Sequence, residues 1–99
     1  MGAPRHTWIV TFDVVDDRRR SKLSRYLASR GERVQWSVFE VLANEEELAE
    51  LVSEATVEAR FLEDEDSLRC YRLCVPCRAA VLIRGRGRPL AEPGAPLVL

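Results

Sequence analysis

Ninety-nine residues with 46% hydrophobic content suffice for one domain, residues 1–99, with a single modest core, small enough to gain from dimerisation. A formal net charge of −1 means that any case for nucleic-acid binding must come from where the charges sit, since the total supplies none. No apolar run approaches the ~20 residues of a membrane span, residues 1–7 lack the hydrophobic core of a secretion signal, and three cysteines do not make a disulfide framework, so a cytoplasmic protein is expected.

Residues 1–6 read as a loose leader. Trp8 to Phe12 are β-branched or aromatic without a break, which predicts a first strand ending at Asp13. A carboxylate at the tip of a buried strand must reach solvent, accept hydrogen bonds or hold a cation. Asp16 or Asp17 supplies the N-cap of the next helix. In that helix Leu23, Tyr26 and Leu27 form a narrow apolar stripe, and Gly31 closes it as a left-handed C-terminal residue would. Arg33 to Leu42 alternates as one long strand, with Val34, Trp36 and Val38 on one face and Gln35, Ser37 and Phe39 on the other.

Asn44 and Glu47 have the spacing of a capping box, and Leu48, Leu51, Val52, Ala55 and Ala59 give the second helix its buried stripe. Its acidic face is a solvated surface. After a polar loop at 63–66, Ser67 to Val75 reads as a strand, Pro76 interrupts it, and Ala79 to Ile83 supplies one more. The order β-α-β-α-β-β predicts an α+β, ferredoxin-like sandwich: an antiparallel sheet with helices on one face and an added C-terminal strand. The uncovered sheet face calls for a partner, most economically a homodimer. The core spans about 7–85, and the tail 86–99, proline-rich and ending in Pro96-Leu97-Val98-Leu99, suits an edge strand within the dimer.

Chemistry concentrates at the first strand tip. Asp13 is followed at once by Arg18, Arg19, Arg20, Lys22 and Arg25, a juxtaposition of acid and base that reads as a metal-plus-phosphate site. Arg33 could join it across the sheet. The competing reading makes Asp13 a helix cap and the bases a solvated face, but Asp16 and Asp17 are better placed as caps. Cys70, Cys74 and Cys77 have a spacing that invites zinc, yet three thiols with the sole histidine at His6 fall short of a site. Core packing for Cys70 and Cys74 and a turn position for Cys77 are expected instead.

The blocks Thr11-Phe12-Asp13-Val14, Asp16-Asp17 with Arg20, and Gly31 through Glu40 together resemble the small CRISPR-associated nuclease family usually called Cas two, as do Leu73-Cys74 with Cys77 and Gly85. The resemblance runs from Thr7 to Gly85. It implies a ferredoxin-like homodimer in which Asp13 of each subunit faces a shared cleft and binds Mg²⁺, with Asp13 as catalytic residue. It further implies a metal-dependent endonuclease acting on single-stranded RNA or double-stranded DNA, which takes part in spacer acquisition with the Cas one integrase. Arg20, Lys22 and Arg33 match basic positions of the family and Phe39 its aromatic one, with Ser37 in a supporting place. Arg18 and Arg19 complete the expected nucleic-acid-binding set. Phe12 stands where tyrosine is common, and Lys22 where arginine is frequent. Two functions remain in competition on these grounds, an endonuclease that needs Asp13 and a non-catalytic duplex-DNA adaptor that does not. A third, weaker reading is a ferredoxin-like module with no nucleic acid.

Overall fold

In the computed structural model, which describes residues 3–85, the chain forms β1 (His6–Asp13), α1 (Asp17–Arg30), β2 (Glu32–Gln35), β3 (Val38–Ala43), α2 (Glu45–Glu58), β4 (Ser67–Leu73) and α3 (Val75–Ala79). The four strands make one antiparallel sheet in the order β2-β3-β1-β4. This β-α-β-β-α-β order is the ferredoxin-like plan, so the expected fold class holds; the element order differs from the β-α-β-α-β-β read along the chain, because the long second strand is two strands and the added last strand is absent among the described residues.

Alternation along the central strands sends Val10 and Phe12 of β1 and Phe39, Val41 and Ala43 of β3 inward. There they join Leu23 and Leu27 of α1 and Leu51, Ala55 and Ala59 at the end of α2 in a single core. Both long helices therefore cover the same face of the sheet. Asp16 caps α1 by accepting from the Arg19 backbone N–H at 3.0 Å. The capping box of α2 is complete: Asn44 accepts from the Glu47 N–H at 2.7 Å, and the Glu47 carboxylate accepts from the Asn44 N–H at 3.0 Å.

The opposite face carries Ile9 between Glu40 and Tyr71, and Thr11 between Val38 and Arg69. Tyr71 and Leu42 are exposed there, and Ile9 and Val38 are half-buried. Neither long helix covers this face, as the sequence led us to expect.

Several local expectations need correction. The stretch 33–42 is two strands, with a turn at Trp36 and Ser37 and an irregular register between Arg33 and Gln35. The turn explains why Val34 and Trp36 are exposed and why Phe39, not Val38, fills the core. Arg33 holds this turn from the side, donating to the carbonyl of Trp36 at 3.0 Å and to that of Gln35 at 3.4 Å.

Residues 79–83 are not a strand. Pro76 falls in the first turn of α3, where a missing N–H is harmless, so helix replaces strand up to Ala79, and residues 81–84 have no regular structure. The extra strand expected at 79–83 is thus absent among the described residues, and the edge strand expected from 86–99 lies outside them. Cys74 caps α3 and is exposed instead of entering the core, Cys77 lies within α3, and Cys70 does pack against the core, where burial pushes its thiol up.

Gly31 follows α1 in an extended conformation, φ −158° and ψ −160°, not the left-handed one. It is needed for space: a Cβ there would stand 2.3 Å from the Glu40 carbonyl oxygen and 2.8 Å from a Val41 methyl.

Candidate functional site

Since Val10 and Phe12 point into the core, the alternate positions Ile9, Thr11 and Asp13 point to the open face, and Asp13 is exposed at the strand end opposite Ser67. The chain then turns through Val14, whose buried side chain anchors it, and enters α1 at Asp17. Arg20, Ser21, Ser24 and Arg25 recur at helical spacing along the flank of α1 beside the Leu23 and Leu27 stripe. The β2–β3 turn supplies the facing wall. A hydrogen bond from the Phe12 N–H to the Ser37 carbonyl, 3.2 Å, ties that turn to the end of β1.

Between these walls lies a cleft of about 670 Å³, lined by Asp13, by the four α1 residues, and by Arg33, Trp36 and Ser37 of the turn, over Phe12 and Val14. Among the described residues, no hydrogen bond or ion pair reaches the Asp13 carboxylate. Arg20 is fixed at the rim: it donates to the Val14 carbonyl at 2.9 Å and pairs with Asp17. Arg33 stands over the Trp36 ring at 4.8 Å and the Phe39 ring at 5.8 Å, and Phe39 stacks on Phe12 with centroids 6.2 Å apart. An arginine held on aromatic faces keeps its charge and loses little freedom on binding an anion.

The structure thus brings Asp13, Arg20, Arg33 and Ser37 into one cleft and puts Phe39 beneath it. Arg18 and Lys22 are exposed on α1 but do not line the cleft. Arg19 departs from the expected set. Its guanidinium is turned to Asp66, with one bond at 3.3 Å and a second, closer ion-pair contact, and to the Arg60 carbonyl at 3.4 Å. The Asp66 side chain is fully buried, accepts from the N–H groups of Leu62 at 2.8 Å and Val15 at 3.3 Å, and is held down to about 2, first by Arg19 and then by those two N–H groups, against the opposing cost of burial. In this fold Arg19 fastens the start of α1 to the loop before β4. Sequence reasoning had no means of finding it, because the partners lie 47 positions apart.

Trp36, Ser21 and Ser24 were also missed. The serines could have been found from their helical spacing with Arg20 and Arg25. Trp36 was assigned to a strand face because the turn carries neither glycine nor proline.

Among the described residues no group of three or more His, Cys, Asp or Glu side chains could hold a metal ion. What the described residues of one chain offer in the cleft is a single carboxylate without a protein partner, open to solvent. That fits a hard cation which keeps water and phosphate oxygens in most of its octahedron, and it does not fit a site built wholly from protein.

The family model for CRISPR associated protein Cas2 matches residues 6–81. The chain is 41% identical over 92 residues to CRISPR-associated endoribonuclease Cas2 2 of Synechocystis sp., covering 93% of this chain and 97% of that one. Its structure is similar to that of a hypothetical protein from Thermus thermophilus, with a TM-score of 0.70 and 39% identity over 89% of this chain and 99% of the other. It is also similar to a chain of a partial Cas6-RT-Cas1–Cas2 complex, with a TM-score of 0.63 and 30% identity over 88% of this chain and 98% of the other. With the matched region running from the start of β1 through α3, and with Asp13 and the 31–40 block inside it, this chain belongs to the CRISPR associated protein Cas2 family.

Proposed function

We propose that this protein is an endonuclease that cuts phosphodiester bonds in single-stranded RNA or double-stranded DNA with Mg²⁺ at Asp13, as a homodimer, and that it takes part in spacer acquisition with a Cas1 integrase. The observation that carries this reading is that Asp13, whose carboxylate has no partner among the described residues, lines one cleft with three arginines drawn from two separate elements. A carboxylate with no competing partner is free to accept a cation, and the arginines supply charge-assisted donors for phosphate oxygens. Relatives named as endoribonucleases support the activity, and a similar chain in a complex that includes Cas1 supports the partnership.

Each residue then has a definite task. Arg25 and Arg33 hold a phosphate on either side of the cleft, and Arg20, braced on the Val14 carbonyl, marks its rim near the strand tip. Ser37, tied to β1 through its carbonyl, keeps the turn at a fixed distance from Asp13. Asp13 would hold Mg²⁺, which supplies a Lewis acid for the phosphodiester when bound. A second copy packed on the open sheet face, where Ile9, Thr11 and Asp13 lie, brings a second Asp13 to the same side.

The test is cleavage of a labelled oligonucleotide in Mg²⁺ by Asp13→Ala, with binding followed by anisotropy. Loss of cleavage with binding retained is the expected result; cleavage by the variant equal to that of the wild type would refute the assignment. One observation favours the second reading, a non-catalytic DNA-binding adaptor: among the described residues each chain gives one carboxylate to the cleft. Under that reading Asp13→Ala still supports spacer acquisition, and the arginine variants do not.

A further inference from the structure

Trp36 is the most conspicuous residue of the cleft that the reading above does not use. It is 84% exposed, although a tryptophan has more apolar surface to hide than any other residue. A single exposed apolar side chain needs no explanation by itself. Here, however, the indole stands at the rim of the same cleft as Asp13 and carries the Arg33 guanidinium 4.8 Å from its ring centre.

The indole's backbone is also held in place. Arg33 donates to the carbonyls of Gln35, the last residue of β2, and of Trp36, so the entry to the turn is braced by the side chain that touches the ring. Ser37 in turn accepts from the Phe12 N–H, next to Asp13. A planar aromatic surface thus sits on a tethered turn, one residue from a contact that leads directly to the carboxylate. Ordering it costs little on binding, because its backbone is already fixed.

We infer that Trp36 forms a nucleobase subsite: an unpaired base stacks on the indole while its phosphate lies among the cleft arginines. Stacking platforms beside a basic groove are sequence-tolerant, since every base has a π-face, and they favour strands whose bases are not already stacked and paired. Trp36 is a positioning residue that orients the strand across Asp13. It gives the cleft a preference for single strands over duplex. This inference rests on the nucleic-acid reading of the cleft and goes beyond it in naming the part of the nucleotide that is recognised.

The full-length protein should be titrated with a labelled single-stranded oligouridylate of about 12 nucleotides, and with a duplex of the same length, following both anisotropy and tryptophan fluorescence. Trp8 is a constant background, because its indole N–H is bound to the Ala43 carbonyl at 2.9 Å. The expected results are quenching by the single strand but not by the duplex, loss of about 10-fold in single-strand affinity in Trp36→Ala, and recovery in Trp36→Phe, which keeps a stacking face. Circular dichroism and Tm of Trp36→Ala should match the wild type, since the side chain is exposed. Tight binding by Trp36→Ala, or equal quenching by the duplex, overturns the subsite and leaves the nucleic-acid reading standing. Absence of any anisotropy change with the wild-type protein at low salt overturns both.

Discussion

Two aspartates beside α1 face arginines of that helix and have opposite fates. Asp66 is buried with its charge fully answered: Arg19 and two backbone N–H groups surround it, and its carboxyl is held down to about 2. Asp13 is exposed, with no partner among the described residues, in a cleft where Arg33 lies on aromatic rings and Arg20 on Asp17 and the Val14 carbonyl. Both acids lie near arginines of α1, and under the function proposed above Asp66 serves the fold and Asp13 the chemistry of the cleft. A buried carboxylate that lost its partners would be costly, so Asp66 fastens the structure. A carboxylate left open costs the fold nothing to change, and its freedom is of use only to something that arrives from outside.

Swapping each acid for its amide tests that contrast most strongly. Asp13→Asn should lower Mg²⁺-dependent cleavage by roughly 100-fold or more while leaving Tm unaltered, which cleavage assays and calorimetry on one preparation would establish. Asp66→Asn should do the reverse. Its amide NH₂ would face donors where an acceptor is needed and leave Arg19 unpaired, so Tm should fall by more than about 5 °C with cleavage per folded molecule retained. If Asp13→Asn also melts early, the division of roles fails.

The same contrast has a pH signature. Asp66 binds its proton less readily folded than unfolded, at about 2 against an ordinary 3.8, so its stabilisation is fully present above about pH 4 and is lost as pH falls toward 2. Glu47, drawn down to about 2 mainly by the Arg5 guanidinium, adds to the same acid limb, but that ion pair is exposed and contributes less. Acid denaturation of Asp66→Asn, followed by circular dichroism, should therefore be flatter between about pH 4 and 2 than that of the wild type. An unchanged acid limb would show that Asp66 is not the fastener described.

The smallest effect sorts the arginines. Arg25→Ala should reduce the slope of log affinity against log salt by about 1 with little change in Tm, whereas Arg19→Ala should lower Tm and leave the slope alone. Matching slopes in the two variants would erase the distinction between clamp and cleft.

Much of this was legible along the chain. The first strand, both long helices, their caps and their buried stripes follow from local pattern, since each depends on neighbours within four or five positions. Asp13 stood out because an acid ending a run of β-branched residues has few explanations. The 33–42 stretch misled because alternation continues through Trp36 and Ser37, where no glycine or proline marks the turn, and Arg33 closes it with a side chain. Residues 79–83 misled because apolar, β-branched composition predicts a strand only if another strand is available to pair with it.

By itself, then, the sequence determined where the two long helices begin and which of their faces are apolar, and that an acid and a run of bases meet at one strand tip. Tertiary structure alone decided which of those bases stay in the cleft. That division has a physical cause: helical and strand periodicities are local, while the partner of a charge is chosen by burial and by distance in space. Arg19 and Arg20 are adjacent in sequence, yet one is turned toward Asp66, 47 residues away, and the other toward Asp17 and the cleft, because the fold places a buried carboxylate beside only one of them.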